Sequence, residues 1–265
     1  MVLMAILLGT ITAGIGSVWV AALLSFGALA RYTQHMLSLA AGALLGTAFM
    51  HLLPEAFESQ ASAHDLFATL LVGLVFFFLL DKAELWHHGH EHHAAEHAGG
   101  PLHDHGQPHN HSHPQASGGG WAVLAGDSVH AFGDGILIAS AFIADLRLGF
   151  VAALAVLIHE VPHHMGDLIV LRRQSANNRR IAIVKVSLAG AVTALGGMVG
   201  YALVDQLYGY LPFFLIIASS SFMYVALADL IPQLQKRATL RETAAQIFWL
   251  ATGIGLVMLV SWVAH

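Results

Sequence analysis

Long apolar stretches separated by short polar breaks dominate the chain, and this pattern predicts membrane-spanning helices. A helix needs about 20 predominantly apolar residues to cross the hydrocarbon core of a bilayer. Eight stretches have that length, at 2–28, 36–57, 66–86, 121–143, 148–171, 181–204, 208–233 and 246–264. We therefore predict an all-α integral membrane protein, an eight-helix transmembrane bundle forming one membrane domain, with helices 1–3 in residues 1–86 and helices 4–8 in residues 121–265.

The longest polar break, residues 87–120, separates the third and fourth predicted helices and is rich in Gly, Pro and His. Such a composition cannot bury a core, so we expect a disordered loop. Neutral imidazoles bind zinc, nickel and copper, and a flexible segment can gather several of them around one ion. The alternative is a solvated linker that binds metal only incidentally. The histidines of this His tract are His87, His88, His90, His92, His93, His97, His103, His105, His109, His111 and His113.

Composition supports the membrane prediction and excludes several kinds of site. Hydrophobic residues make up 57 % of the chain and charged residues only 10 %, whereas soluble domains carry about 25 % charged residues. The absence of cysteine excludes disulfides, thiolate zinc sites and cysteine nucleophiles. A formal net charge of −5 shows no basic excess, so we expect the lipid bilayer, and no nucleic acid, as a partner.

The positions of the cations predict the orientation. Of the 11 Lys and Arg residues, all except Arg147 lie in or beside the odd-numbered breaks, counted from the N-terminus. Lys and Arg in short loops are retained on the cytoplasmic side. We therefore expect a multi-pass protein of the plasma (cell inner) membrane, with both termini outside and the His tract in the cytoplasm.

Several ionisable residues lie inside the predicted spans, where they cost several kcal/mol unless they pair, bind ions or line water. Three pairs have the i, i+4 spacing that places two side chains on one helix face. Each such helix can offer two ligands to the same point. The pairs are His51 with Glu55, His130 with Asp134, and His159 with His163.

Depth along the helix supports a site near the bilayer midplane. His130 lies about 14 Å beyond the start of its predicted span and His159 about 16 Å beyond the start of the next, at 1.5 Å per residue. His130, Asp134, His159 and His163 would suffice for a tetrahedral Zn²⁺ site. The alternative is that these groups only form hydrogen bonds between helices and stabilise the bundle. Asp127 lies one turn before His130, where it would either orient the imidazole or make an interhelical hydrogen bond.

The motifs resemble those of the ZIP (Zrt-, Irt-like protein) family of divalent metal transporters. Residues 126–135, GDSVHAFGDG, are similar to the family pattern His-Asn-x-x-Asp-Gly, and residues 159–167, HEVPHHMGD, to the subfamily pattern His-Glu-x-Pro-His-Glu-x-Gly-Asp. The resemblance implies transport of Zn²⁺ toward the cytoplasm by alternating access. Imidazole and carboxylate ligands also bind Fe²⁺, Mn²⁺, Cd²⁺ and Co²⁺, which are further candidate substrates, and a homodimer is a candidate assembly. The resemblance also implies a principal metal site of His51, His130, Asp134, His159 and His163.

Departures from the family pattern shape the remaining predictions. Two ligands of a second metal position found in some members are replaced here by Ala131 and Thr193, so we expect a single-metal site with Glu160 as a relay or entrance-path carboxylate. His164 stands where the pattern has Glu and is expected to be a relay or a cavity-lining group. Glu55 and Asp167 are expected to moderate the field around the ion.

Two other classes compete with a transporter of this family. Residues 159–163 also match H-E-x-x-H, in which two histidines bind zinc and the glutamate activates water, so the alternative is an intramembrane zinc metalloprotease. Proline within the motif and the additional His130/Asp134 pair argue against it, and we expect a protein that is not an enzyme. Cation-efflux carriers also have a His-x-x-x-Asp pair, but they are expected to have fewer spans and a soluble C-terminal domain.

Overall fold

The computed structural model describes residues 1–25, 33–89, 119–174, 178–234 and 239–263. These residues contain no β-strand, and they include eight helices long and apolar enough to cross a membrane. The predicted all-helical, eight-span architecture is therefore confirmed. The helices are α1 Val2–Ser25, α2 Thr33–Phe57, α3 Ala63–Gly89, α4 Gly119–Ala144, α5 Leu146–Gln174, α6 Arg179–Gln206, α7 Tyr208–Leu234 and α8 Leu240–Val263.

Helix starts differ from the sequence prediction because polar caps begin several helices early. Helix α8 begins at Leu240 rather than near 246: Thr239 Oγ1 accepts from Glu242 N at 3.3 Å and Glu242 Oε2 accepts from Thr239 N at 2.7 Å. This reciprocal pair is a capping box. Asn178 Oδ1 likewise caps α6. Hydropathy reports only where the apolar segment lies, so it misses a polar first turn.

Helices α4 and α5 form the centre of the bundle. They pack against each other, α4 also packs against α6, and α5 also packs against α1 and α2. Close approach of α4 to α6 depends on Gly196, where a Cβ atom would collide with the Phe132 carbonyl. Gly42 plays the same part for α2 against α8, facing the Leu250 carbonyl. Small residues at such positions allow tight packing of membrane helices.

Helices α3 and α8 lie at the periphery. Only 11 % of the most apolar window of each is buried, against 61 % for α5. Their exposed side chains include Phe76 and Leu79 on α3 and Phe248 and Trp262 on α8. Large apolar side chains in this position suit contact with lipid tails, as expected for the outside of a membrane bundle.

Within the described ranges, three helices contain a π-helical turn, in which the hydrogen-bonded ladder is locally widened. These turns are Thr12–Gly16 in α1, Ala48–Leu52 in α2 and Val225–Leu230 in α7. Such turns are rare and occur frequently at functional sites. The α2 turn contains His51, one of the predicted ligands, and Ser17 directly follows the α1 turn.

Candidate metal centre

The polar residues of α4 and α5 face one another across the central helix pair. Asp145 alone separates the two helices, so they run in opposite directions. Asp145 Oδ1 accepts hydrogen bonds from Arg147 N at 2.8 Å and Leu148 N at 3.3 Å, which caps α5. In α4, the spacing of His130 and Asp134 places them on the same helix face. The hairpin therefore brings donor atoms from two helices to one depth.

Four side chains converge within the hairpin, and we call them the primary group. His159 Nε2 lies 3.4 Å from Asp134 Oδ2 and 3.2 Å from Glu160 Oε1. His130 Nε2 lies 3.4 Å from His159 Nε2, 3.7 Å from Asp134 Oδ2 and 3.5 Å from Glu160 Oε1. Their four ligand atoms all lie within 4.8 Å of one another. The members of the primary group are His130, Asp134, His159 and Glu160.

These separations suit a tetrahedral metal ion. With ligand atoms about 2.0–2.1 Å from zinc, the edges of a coordination tetrahedron are about 3.3 Å long. The five separations above run from 3.2 to 3.7 Å. The ring of His159 is already oriented for such a role, because its Nδ1 donates to the Ala155 carbonyl at 3.3 Å. A neutral ring in that tautomer turns its Nε2 lone pair toward the group.

Burial gives an independent indication that the primary group binds a cation. Asp134 and Glu160 are 3 % and 2 % exposed. Among the residues that the structure describes, no hydrogen-bond partner is found for Asp134 Oδ2 or for either Glu160 oxygen, although all three atoms are buried. A buried carboxylate oxygen without compensation is costly, whereas a bound dication would satisfy it. The donor set of imidazole nitrogen and carboxylate oxygen is one that zinc accepts.

Three further side chains form a second group beside the primary group. His163 Nε2 lies 3.4 Å from Asp127 Oδ1 and 3.6 Å from Asp167 Oδ2. The three ligand atoms lie within 4.8 Å of one another. Thus the structure places His163 with Asp127 and Asp167, although its ring centroid is only 5.9 Å from that of His130. Asp127, His163 and Asp167 are called the second group below.

His164 connects the two groups. Its ring is fully buried, and its Nε2 lies 3.1 Å from Glu160 Oε2 and 3.8 Å from Asp127 Oδ1. The other nitrogen, Nδ1, lies 3.0 Å from Ser17 Oγ of α1. Ser17 Oγ also donates to the Gly14 carbonyl at 2.6 Å, so α1 holds the Nδ1 side of the ring. The α1 contact therefore fixes which face of His164 meets the carboxylates.

His51 and Glu55 belong to neither of these groups among the described residues. His51 Nδ1 faces the Gly46 carbonyl at 3.5 Å inside the α2 π-helical turn, and Glu55 is exposed. Among the residues that the structure describes, no candidate metal-binding group includes either side chain. Their predicted roles as ligand and field-moderating carboxylate are therefore left as predictions.

The His tract falls mainly outside the described part of the chain. His87 and His88 lie within the residue range of α3. The other nine tract histidines lie in residues 90–118, which are not described. The predictions of a disordered loop and of metal binding by the tract concern those residues.

Two contributions to the site were missed at the sequence level. Glu160 is predicted to be a relay because Ala131 and Thr193 replace two ligands of a second metal position, yet its side chain brings Oε1 to within 3.2 Å of His159 Nε2. The signal was the Glu of the HEVPH motif. Ser17 had no assigned role, and its signal was a polar residue in the otherwise apolar α1.

Comparison with known proteins matches nearly the whole chain to one family. The family model described as ZIP zinc transporter matches residues 1–261. The protein named zinc transporter ZIP13 from Pongo abelii is 28 % identical over 254 residues, covering 88 % of this chain and 68 % of that protein.

Other relatives are much longer than this chain. Zinc transporter ZIP10 from Danio rerio is 32 % identical over 148 residues, 53 % of this chain and 17 % of that protein. Zinc transporter zipt-7.2 from Caenorhabditis elegans is 32 % identical over 145 residues, 52 % of this chain and 30 % of that protein. The matched segment thus spans less than a third of these two relatives.

Proposed function

The chain belongs to the ZIP zinc transporter family, and from that premise we propose that it carries divalent metal ions, chiefly Zn²⁺, across a membrane through the primary group. The observation that carries the proposal is the convergence of the four ligand atoms of the primary group, five of whose separations are 3.2–3.7 Å. These atoms lie within two helices long and apolar enough to span a membrane. Buried ionisable residues inside such helices mark ion pathways.

Charge balance supports a transported dication. Asp134 and Glu160 supply two negative charges, and neutral imidazoles supply the remaining ligands. An ion that crosses must be bound well enough to enter but weakly enough to leave. Two carboxylates balance the two positive charges of the ion and leave no surplus negative charge to retain it, which meets this requirement. Fe²⁺, Mn²⁺, Cd²⁺ and Co²⁺ accept the same kinds of ligand and are proposed as further substrates.

We propose transport toward the cytoplasm by alternating access, with both termini outside and the His tract on the cytoplasmic side. The distribution of Lys and Arg supports this orientation. In this scheme His51 and Glu55, near the outer end of α2, receive the ion before it reaches the primary group. The tract then captures the released ion or reports its concentration. A plasma (cell inner) membrane location and a homodimer remain predictions.

The protease alternative has no support in the geometry. In H-E-x-x-H enzymes both histidines bind one zinc while the glutamate activates water. Here His163 Nε2 is directed to Asp127 at 3.4 Å, and Glu160 Oε1 lies among the donor atoms with His159. We therefore propose a transporter that is not an enzyme.

Uptake of Zn²⁺ into liposomes containing the purified protein tests the proposed function. We expect uptake by the wild-type protein and its loss in the His130→Ala/Asp134→Asn double variant. His64→Ala is the matched control, because that imidazole is 89 % exposed and outside both groups. Absence of uptake by the wild-type protein, or undiminished uptake by the double variant, would contradict the proposal.

A further inference from the structure

Ser17 is a fully buried polar residue of α1, directly after the π-helical turn of that helix. The turn packs against both α5 and α6. At Gly14, within the turn, a Cβ atom would collide with the Gly190 carbonyl of α6, so the two backbones are in close contact. Ser17 Oγ donates to the Gly14 carbonyl. The position of the Ser17 hydroxyl is therefore determined by packing of α1 against two neighbouring helices.

We propose that Ser17 is a positioning residue of the primary group, which acts through His164 to direct the Glu160 carboxylate toward the ion. This inference rests on the proposed function, because it assumes that the primary group binds the transported ion. It gives a role in ion binding to α1, which supplies no member of the primary group.

Three contacts in series connect α1 to the primary group. Ser17 Oγ lies 3.0 Å from His164 Nδ1, and His164 Nε2 lies 3.1 Å from Glu160 Oε2. The other oxygen, Glu160 Oε1, lies 3.2 Å from His159 Nε2. All four residues are at most 3 % exposed. Because the imidazole ring is rigid, a contact that holds Nδ1 also limits where Nε2 can point.

Glu160 needs such a partner because of its place in α5. Successive residues of an α-helix point about 100° apart, so Glu160 and His159 leave the helix in different directions. The Glu160 side chain must bend back to place Oε1 beside His159 Nε2. A glutamate that is free to rotate loses conformational entropy when it binds an ion, whereas one that is already held loses less. Contacts to the far side of a ligand commonly orient it in protein metal sites.

The alternative is that Ser17 and His164 form an interhelical hydrogen bond that only stabilises the bundle. The adjacent residues already supply apolar packing there, since Val18 of α1 and Met165 of α5 belong to one buried cluster. A polar pair adds a desolvation cost to such an interface. His164 also continues the contact to a carboxylate whose second oxygen lies in the primary group, which stabilisation of the bundle does not require.

Zn²⁺ affinity tests the role of Ser17, measured by chelator competition on purified protein in which all eleven tract histidines are replaced by Gln. Ser17→Ala should weaken binding about tenfold, the lower end of the effect of losing a group that orients a metal ligand. Ser17→Cys keeps a weak hydrogen-bonding group and should give a smaller loss.

Thr10→Val is the matched control for Ser17→Ala. It removes another fully buried hydroxyl of α1, one that donates to the Ile6 carbonyl of its own helix at 2.7 Å. Because this hydroxyl contacts no member of the series, its loss should change the Zn²⁺ affinity by about twofold at most.

A double-mutant cycle with Glu160→Ala shows whether Ser17 acts through that carboxylate. With the carboxylate absent, Ser17→Ala should change the Zn²⁺ affinity by about twofold at most, because His164 then has no ligand to orient. A hydroxyl that only stabilises the bundle would cause the same loss in both backgrounds. Co²⁺ gives a second readout, since its visible absorption depends on coordination number and geometry. Ser17→Ala should alter the Co²⁺ spectrum, and the double variant should match Glu160→Ala alone.

These outcomes are distinct from those of the proposed function. A loss in Ser17→Ala that disappears in the Glu160→Ala background would support the positioning role even if the wild-type protein fails to transport Zn²⁺. Unchanged affinity in both Ser17 variants, or an equal loss with and without Glu160, would overturn it even if uptake is observed. Zn²⁺ binding that His130→Ala/Asp134→Asn leaves unaffected would overturn both.

Discussion

The His130/Asp134 pair of α4 and the His51/Glu55 pair of α2 each combine an imidazole with a carboxylate four residues later, yet their environments differ. His130 and Asp134 meet ligand atoms of α5 at 3.4–3.5 Å. His51 faces the Gly46 carbonyl of its own helix at 3.5 Å, Glu55 is exposed, and neither belongs to a candidate metal-binding group within the described part of the chain. Spacing on one helix thus supplies two candidate ligands, but a site forms only where a second helix supplies the others.

The largest effect is expected when matched carboxylates of the two pairs are neutralised. Asp134→Asn should weaken Zn²⁺ binding to the primary group by about 100-fold or more. Loss of a residue that only hydrogen-bonds to a metal ligand lowers affinity by about 10- to 100-fold, and loss of a charged ligand should cost at least as much. Glu55→Gln, at the same i+4 position of its pair, should change that affinity less than threefold, roughly the scatter of a distant substitution. Chelator competition measures both values, on protein in which all eleven tract histidines are replaced by Gln so that the tract does not bind Zn²⁺. Equal losses would remove the distinction between the pairs.

A second, smaller effect is expected for Glu160→Gln. The substitution keeps the shape of the side chain but removes one of two negative charges from the primary group, so affinity for Zn²⁺ should fall about tenfold. The same chelator competition applies, with the exposed Glu58→Gln as the control. An unchanged affinity would return Glu160 to the relay role that its place in the sequence suggested.

His51→Ala sharpens the comparison from the other side. If His51 receives the ion before the primary group, its loss should raise the KM for uptake about threefold with little change in kcat. Primary-group affinity, measured on the same preparation, should be unaffected. A loss of affinity as large as that of Asp134→Asn would mean instead that α2 brings His51 into the primary group during the transport cycle.

The smallest effect on transport is expected for the most histidine-rich region. Replacing all eleven tract histidines by Gln should leave the initial rate of Zn²⁺ uptake within about twofold of wild type, because the bundle contains the membrane-embedded donors. Liposome uptake at matched protein density measures the rate. A collapse of transport in this variant would place an essential ion-handling step in the tract.

The sequence was informative where one helix determines the answer. Eight spans could be predicted because membrane insertion depends on about 20 consecutive apolar residues. The start of α8 was displaced because its first turn is polar and is held by the Thr239–Glu242 capping box. Likewise His130 and Asp134 could be paired by spacing, whereas the place of Glu160 beside His159 depends on the reach of a side chain toward α4.

The sequence by itself determined the number of membrane helices, the family and the ionisable residues available inside the bundle, because these depend on local composition and motif. Only the tertiary structure decided which donors meet. The separation of His163 from His159 into different groups, and the joining of His163 to Asp127, follow from how α5 is rotated and shifted against α4. That register is determined by packing between helices, and no spacing within a single helix encodes it.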